Sequence, residues 1–172
     1  YFIEFIYDSD VNFSITIYFI CHEERTAEGL KYSEHNEKTR SETYHYKAGT
    51  GQLFSESALI FNPNNYHASQ LIYQNLHEKG EFNPDVPYPV VIHCVAEEGS
   101  EPRQNHSLIG TVEKIYDNAF SLKPLKQKIF IDGLTYLLQE IYGIENKANK
   151  TDKAFDEDSN HSYECVICMS EL

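Results

Sequence analysis

The sequence predicts a mainly β domain: an antiparallel β-sandwich with one C-terminal amphipathic helix, then a flexible tether. Three observations point there. Tyr and Phe number 13 and 10 while Trp is absent, a bias that favours strands. Several segments alternate apolar and polar residues with the two-residue period of a half-buried strand. Towards its end the chain changes to a helical spacing of apolar residues and then to a polar run. With 41% hydrophobic residues over 172 positions, it can bury a core.

The elements follow in order. Residues 2–7 (FIEFIY) and 13–21 (FSITIYFIC) read as strands joined by the turn DSDVN. In the second, Phe13, Ile15, Ile17, Phe19 and Cys21 fall on one face, and Ser14, Thr16 and Tyr18 on the other, Ile20 being the exception. Residues 22–40 are polar, with a turn around Glu28-Gly29. Residues 41–48 predict a short strand, GTG a break, and 57–62 a further strand. The Asn- and Pro-rich stretch 63–87 reads as a long surface connection. YPVVIHCVAE (88–97) is apolar on both faces and predicts a central strand, with Pro89 tolerated near its start. SLIGTVEKIY and AFSLKPL flank Asp117-Asn118, a two-residue connection with hairpin chemistry. After Lys128, Ile131, Leu134, Leu137, Leu138, Ile141 and Tyr142 recur at helical spacing, and Gly143 is placed as a stop. So short a helix needs tertiary packing against the sheets. Residues 145–162 are polar and charged, which reads as a disordered linker.

Charge and cysteine usage narrow the function classes. A net charge of −13 argues against a nucleic-acid binder, because that binding needs cations to displace counterions from phosphate. It equally argues against a polybasic membrane-surface role. Lys123, Lys126 and Lys128 form the one basic cluster and read as a solvated strand edge. No apolar run approaches the roughly 20 residues that span a bilayer. Cys21 and Cys94 lie inside apolar runs and read as buried free thiols, which implies a reducing compartment. Sequons at Asn12, Asn105, Asn149 and Asn160 are short enough to arise by chance, so the expected location is cytoplasmic. Lipidation upstream of Tyr1 would add membrane association. Gly49-Thr50-Gly51 lacks the third glycine of a phosphate loop and reads as a turn; His22-Glu23-Glu24 reads as solvated.

Cys165-Val166-Ile167-Cys168 carries the chemistry. A redox role would need a helix start within a βαβ unit, and none precedes it. As zinc ligands the two thiolates supply half of a tetrahedron. His161 is near, and His22, His93 and Cys94 are distant candidates for the other half. The remaining reading makes Cys165 and Cys168 the first two ligands of a longer zinc module.

ECVICMSEL resembles the opening of a RING domain. SLKPLKQK followed by LTYLLQEIYGIENK resembles the segment just upstream of the RING in the mahogunin-type E3 ubiquitin ligases. YHYKAGTGQLF and PYPVVIHCVAEEG resemble earlier parts of those proteins, within the region called the domain associated with RING. The similarity covers most of the chain and is looser between about Asn62 and Asp85. It implies a parent protein that is a RING-type E3, holding a ubiquitin-charged E2 and a substrate together and acting by proximity and orientation. It implies Cys165 and Cys168 as zinc ligands, Ile167 as the residue that packs against the E2, and no catalytic residue in this chain. The organisation that follows is a substrate- or adaptor-recognition sandwich at 1–144, a linker at 145–162, and the truncated start of a RING at 163–172. Such a fragment is expected to be inactive alone and to bind zinc only in the complete RING. Substrates would include membrane-receptor tails. The alternative is a non-catalytic adaptor or scaffold β domain whose cysteine pair is incidental.

Overall fold

The computed structural model describes residues 3–34, 39–56, 61–73, 86–117 and 119–138. Among them the strands are β1 (Glu4–Ser9), β2 (Phe13–Thr26), β3 (Gly29–Glu34), β4 (Tyr44–Tyr46), β5 (Gly49–Ser55), β6 (Tyr88–Ala96), β7 (Asn105–Tyr116), β8 (Ala119–Ile131) and β9 (Leu134–Leu138). A 3-10 turn (Pro63–Asn65) and a one-turn helix α1 (Ala68–Leu71) lie between β5 and β6. Every pairing is antiparallel. The mainly β class is therefore as the composition predicts.

Two sheets share the work unequally. The larger runs β3-β2-β6-β7-β8-β9, with β4 beside the first part of β2; the smaller is β1-β5 alone. β2 is long enough to hold β4 at Phe13–Ile15 and β3 at Cys21–Thr26 along one edge, with β6 on the other. Between those partners Phe19 N–H donates to Thr39 O at 2.7 Å and Ser41 N–H to Ile17 O at 2.8 Å. The expected central strand is β6, fully enclosed between β2 and β7.

The smaller sheet packs on one face of the larger one. Phe54 on β5 is fully buried among Ile15, Ile17, Val90 and Ile92, and stacks on Phe5 with centroids 4.7 Å apart. Phe61 joins the same core, stacked 4.3 Å from Phe19. Burying aromatics of this size contributes a few kcal/mol each, so Phe54→Ala would cost about 3–5 kcal/mol. The opposite face curls inward. There Cys21, Leu30, Tyr32, Tyr88, Val91 and Ile109 form a second cluster, and β3 comes back close to β9. Gly29 (φ 114°) marks how closely the curl shuts: a Cβ there would lie 2.6 Å from Asn105 Nδ2 and 2.9 Å from Phe130 Cδ1.

The change of face happens inside β2. Phe13, Ile15, Ile17 and Phe19 all enter the first core, as their alternation predicts, but Cys21 enters the second. Ile20 is the cause. Its φ of 50° lies in the left-handed region, costly for a β-branched residue, and it resets which way the following side chains point. The β2–β6 register pairs Phe19 with Val90 and Cys21 with Tyr88 on either side of it, and Pro89 between those partners has no N–H to donate.

Several sequence expectations are corrected. Residues 131–138 are not helical: β8 ends at Ile131, Asp132-Gly133 turns the chain, and β9 pairs back from Leu134 opposite Ile131. Asp132 (φ 51°) and Gly133 (φ 77°) both have positive φ, the signature of the tight hairpin turn that Asp-Gly favours. The remainder of the expected helix lies outside the described residues. Gly49-Thr50-Gly51 belongs to β5 rather than to a turn. β2 extends to Thr26 into the polar stretch 22–40, because β3 pairs with it there, Thr26 opposite Gly29, and the expected turn around Glu28-Gly29 joins the two. The Asp117-Asn118 hairpin stands, with Tyr116 opposite Ala119.

Candidate functional site

Two places on the described domain gather chemistry. The first is the inner face of the curled sheet. Lys128 on β8 forms an ion pair with Glu23 on β2, the side chains only 9% and 11% exposed. Lys126 lies over the rings of Tyr73 and Tyr88 at 5.0 and 4.7 Å, with Lys128 5.7 Å from Tyr88. Burial, then the charge of Lys128, lowers the Lys126 pKa. The three lysines are thus no solvated edge: β8 sits between β7 and β9, and only Lys123, paired with Glu113 at 3.4 Å, is plainly exposed. Glu23 is likewise not solvated. These cations pair with the Glu23 carboxylate and lie against the negative faces of the Tyr73 and Tyr88 rings across the curl, which is a structural role.

His93 shares this face. Its Nδ1 is 2.9 Å from Ser107 Oγ and its ring stands 5.2 Å from Tyr32. Burial, helped by His106, pulls its pKa down to about 4, so the ring is neutral at pH 7. Its neighbour Cys94 points to the other face, as successive strand residues must. His93 and Cys94 therefore cannot ligate one ion together. Burial pushes the thiols of Cys21 and Cys94 up to about 12, which leaves them inert as nucleophiles at neutral pH. Among the described residues no group of three His, Cys, Asp or Glu side chains is placed to hold a metal.

The second place is a cleft of about 580 Å³ beside β1. All six residues of β1, Glu4–Ser9, line it, although their side chains alternate between two faces. The cleft therefore follows the edge of the strand. Its far wall is β7 and β8, through His106, Leu108, Leu122 and Ile129, and Ile92 and Cys94 lie at its base. β1 is fixed from behind by β5: Tyr7 Oη donates to Gln52 Oε1 at 2.8 Å, and Gly51 N–H donates to Asp8 Oδ1 at 2.6 Å. Glu4 and Asp8 are the lining residues that carry charge, for burial lowers the pKa of His106 as well. The arrangement offers a polar strand edge above an apolar wall. No local stretch of sequence announces the cleft, because it is assembled from β1, β6, β7 and β8.

Cys165, Ile167 and Cys168 lie outside the described residues, so the zinc pair and the E2 contact gain no geometry here. The whole chain can nonetheless be compared with known proteins. It is 39% identical over 175 residues to E3 ubiquitin ligase Rnf157 of Xenopus laevis, covering 100% of this chain and 25% of that protein. It is 41% identical over 176 residues to E3 ubiquitin-protein ligase MGRN1 of Mus musculus, and 40% to the protein of that name from Homo sapiens, covering 32% and 30% of them. This chain is homologous along its whole length to the mahogunin-type E3 ubiquitin ligases. It spans between a quarter and a third of the length of these relatives. No family model matches it, and no solved structure does. The match covers 100% of this chain, so it includes both the cleft strands and the cysteine pair.

Proposed function

We propose that this chain is part of a RING-type E3 ubiquitin ligase, in which the β domain recruits a substrate or adaptor and the cysteine pair begins the E2-binding RING. The observation that carries the reading is the match at about 40% identity over every residue of the chain to proteins named as E3 ubiquitin ligases. Residues 1–144 would form the recognition arm, 145–162 the linker, and 163–172 the opening of the RING.

In this reading Cys165 and Cys168 are ligands of the first zinc. Thiolates are the donors that zinc prefers in closed structural sites, and four donors are needed. When bound, the metal supplies fold rather than reactivity. Ile167, apolar and between the ligands, packs against the E2. The chain's own contribution to transfer is proximity: one domain holds the acceptor lysine while the RING holds the charged E2. None of its side chains forms a covalent intermediate with ubiquitin.

The free thiols fit a reducing, cytoplasmic setting, and no helix among the described residues is long and apolar enough to cross a membrane. The test is discharge of a ubiquitin-charged E2 onto free lysine. The parent protein is expected to accelerate it, Ile167→Ala to abolish the acceleration with zinc content unchanged, and residues 1–172 alone to show none. Equal discharge by the parent with and without Ile167→Ala would remove the role given to that residue. No discharge by the parent would remove the ligase reading.

A further inference from the structure

We propose that the unpaired edge of β1 accepts an extended peptide as an added strand, with alternate apolar side chains entering the cleft and lysine or arginine residues at its ends. The inference deepens the recruitment reading and rests on it only for the identity of the peptide as a ubiquitination substrate.

Three observations converge. The first is the edge. β1 pairs with β5 on one side and has no strand partner on the other among the described residues, and six consecutive residues face the cleft along that side. An open edge of hydrogen-bonding groups is what strand addition uses. Six residues span about 20 Å, which sets the length of the segment.

The second is an incomplete sandwich. A sheet of two strands covers a sheet of seven. It shields the part of the outer face carried by β2 and β6, where Phe54 is fully buried. Leu108, Leu122 and Ile129 on β7 and β8 remain only half-buried along the cleft. A third strand beside β1 would lie over them. Each apolar side chain inserted there would remove apolar surface of both partners from water, which favours binding.

The third is charge. Glu4 and Asp8 are the charged residues of the lining, with no lysine or arginine among them, in a chain of net charge −13. A segment flanked by cations is favoured and an acidic one repelled. The same carboxylates argue against a second copy of this chain, whose own β1 would bring Glu4 and Asp8 with it.

The test uses the whole chain and a labelled peptide, KKVTVTVTKK, read by fluorescence anisotropy. Saturable binding is expected. It should weaken by about tenfold or more when the two central residues become proline, which removes strand donors, or when the lysines become glutamate. Glu4→Lys, at an exposed position, should weaken the basic peptide and strengthen the acidic one; Ile129→Ala should weaken both. Amide exchange should slow along β1 on binding. Equal affinity for the proline and acidic peptides, no binding up to about 1 mM (a free energy near −4 kcal/mol), or unchanged exchange in β1 would overturn the proposal. So would a concentration-dependent dimer that protects β1 without peptide, in favour of a second copy. No ubiquitin or E2 is present, so failure here leaves the ligase reading standing, and failure of E2 discharge leaves peptide binding standing.

Discussion

At the scale of single residues, the inner face concentrates the titratable groups that matter for stability. His93 has a folded pKa of about 4 against an unfolded value near 6.5. Between those values the unfolded chain binds the extra proton, so stability rises with pH across the window and is lost as pH falls through it. The shift corresponds to about 3 kcal/mol. Urea unfolding at pH 7 and pH 4 should show a loss of that order, and the His93 imidazole resonance should titrate near pH 4. A midpoint near 6.5 would contradict the burial. The Glu23–Lys128 pair gives a second expectation. Lys128→Met leaves buried Glu23 with only Arg25, exposed and 3.6 Å away, and should cost about 3 kcal/mol, whereas adding Glu23→Leu should recover most of the loss. Denaturation of the three variants forms the cycle. Sequence reading missed this pair because the partners stand 105 positions apart; a lysine's solvation depends on a fold that local composition does not describe. Cys21 and Cys94, by contrast, were legible as free thiols from their apolar neighbours alone.

At the scale of elements, the clearest lesson is β9. Leucines at 134, 137 and 138 fit a helical stripe, yet all five residues of β9 are exposed on an edge strand. The decisive signal was the dipeptide Asp132-Gly133, whose backbone preference for positive φ fixes a hairpin and outweighs so short a periodicity. Gly133→Ala tests it. No atom lies within 4 Å of an added Cβ there, so the expected loss of about 1 kcal/mol would come from the backbone alone. A measured loss near zero would mean that the turn does not hold its conformation. The alternation in β2 and the two-sided apolar run of β6 were legible because period and burial agree in them. The switch of face at Ile20 was not, since no residue type announces a β-branched side chain at positive φ. The last turn of α1 was also hidden: Leu71 O accepts from Thr111 Oγ1 at 2.8 Å, and Tyr73 N–H donates to the same hydroxyl at 3.2 Å, across about 40 positions.

At the scale of the molecule, a curled seven-strand sheet carries a narrower two-strand sheet, and the mismatch leaves a cleft. Amide exchange should rank the strands accordingly. β2, β6 and β7, enclosed and apolar, should be the most protected, and β1 and β9, each with one open side, the least. Protection of β1 equal to that of β6 in the free chain would show that its edge is already covered. The β class was legible in composition and period, whereas the cleft was not, because it exists only where the two sheets fail to match. The cysteine pair, residues 165–168, lies outside the described residues. What links cleft to cysteines is continuity within one chain matched end to end by ubiquitin ligases. Ubiquitin transfer by the parent protein onto a lysine-flanked extended peptide, compared with the Glu4→Lys, Ile129→Ala double variant, joins both ends of the account. The variant is expected to lose transfer to the peptide and to keep E2 discharge onto free lysine. Undiminished transfer to the peptide by the variant would contradict it.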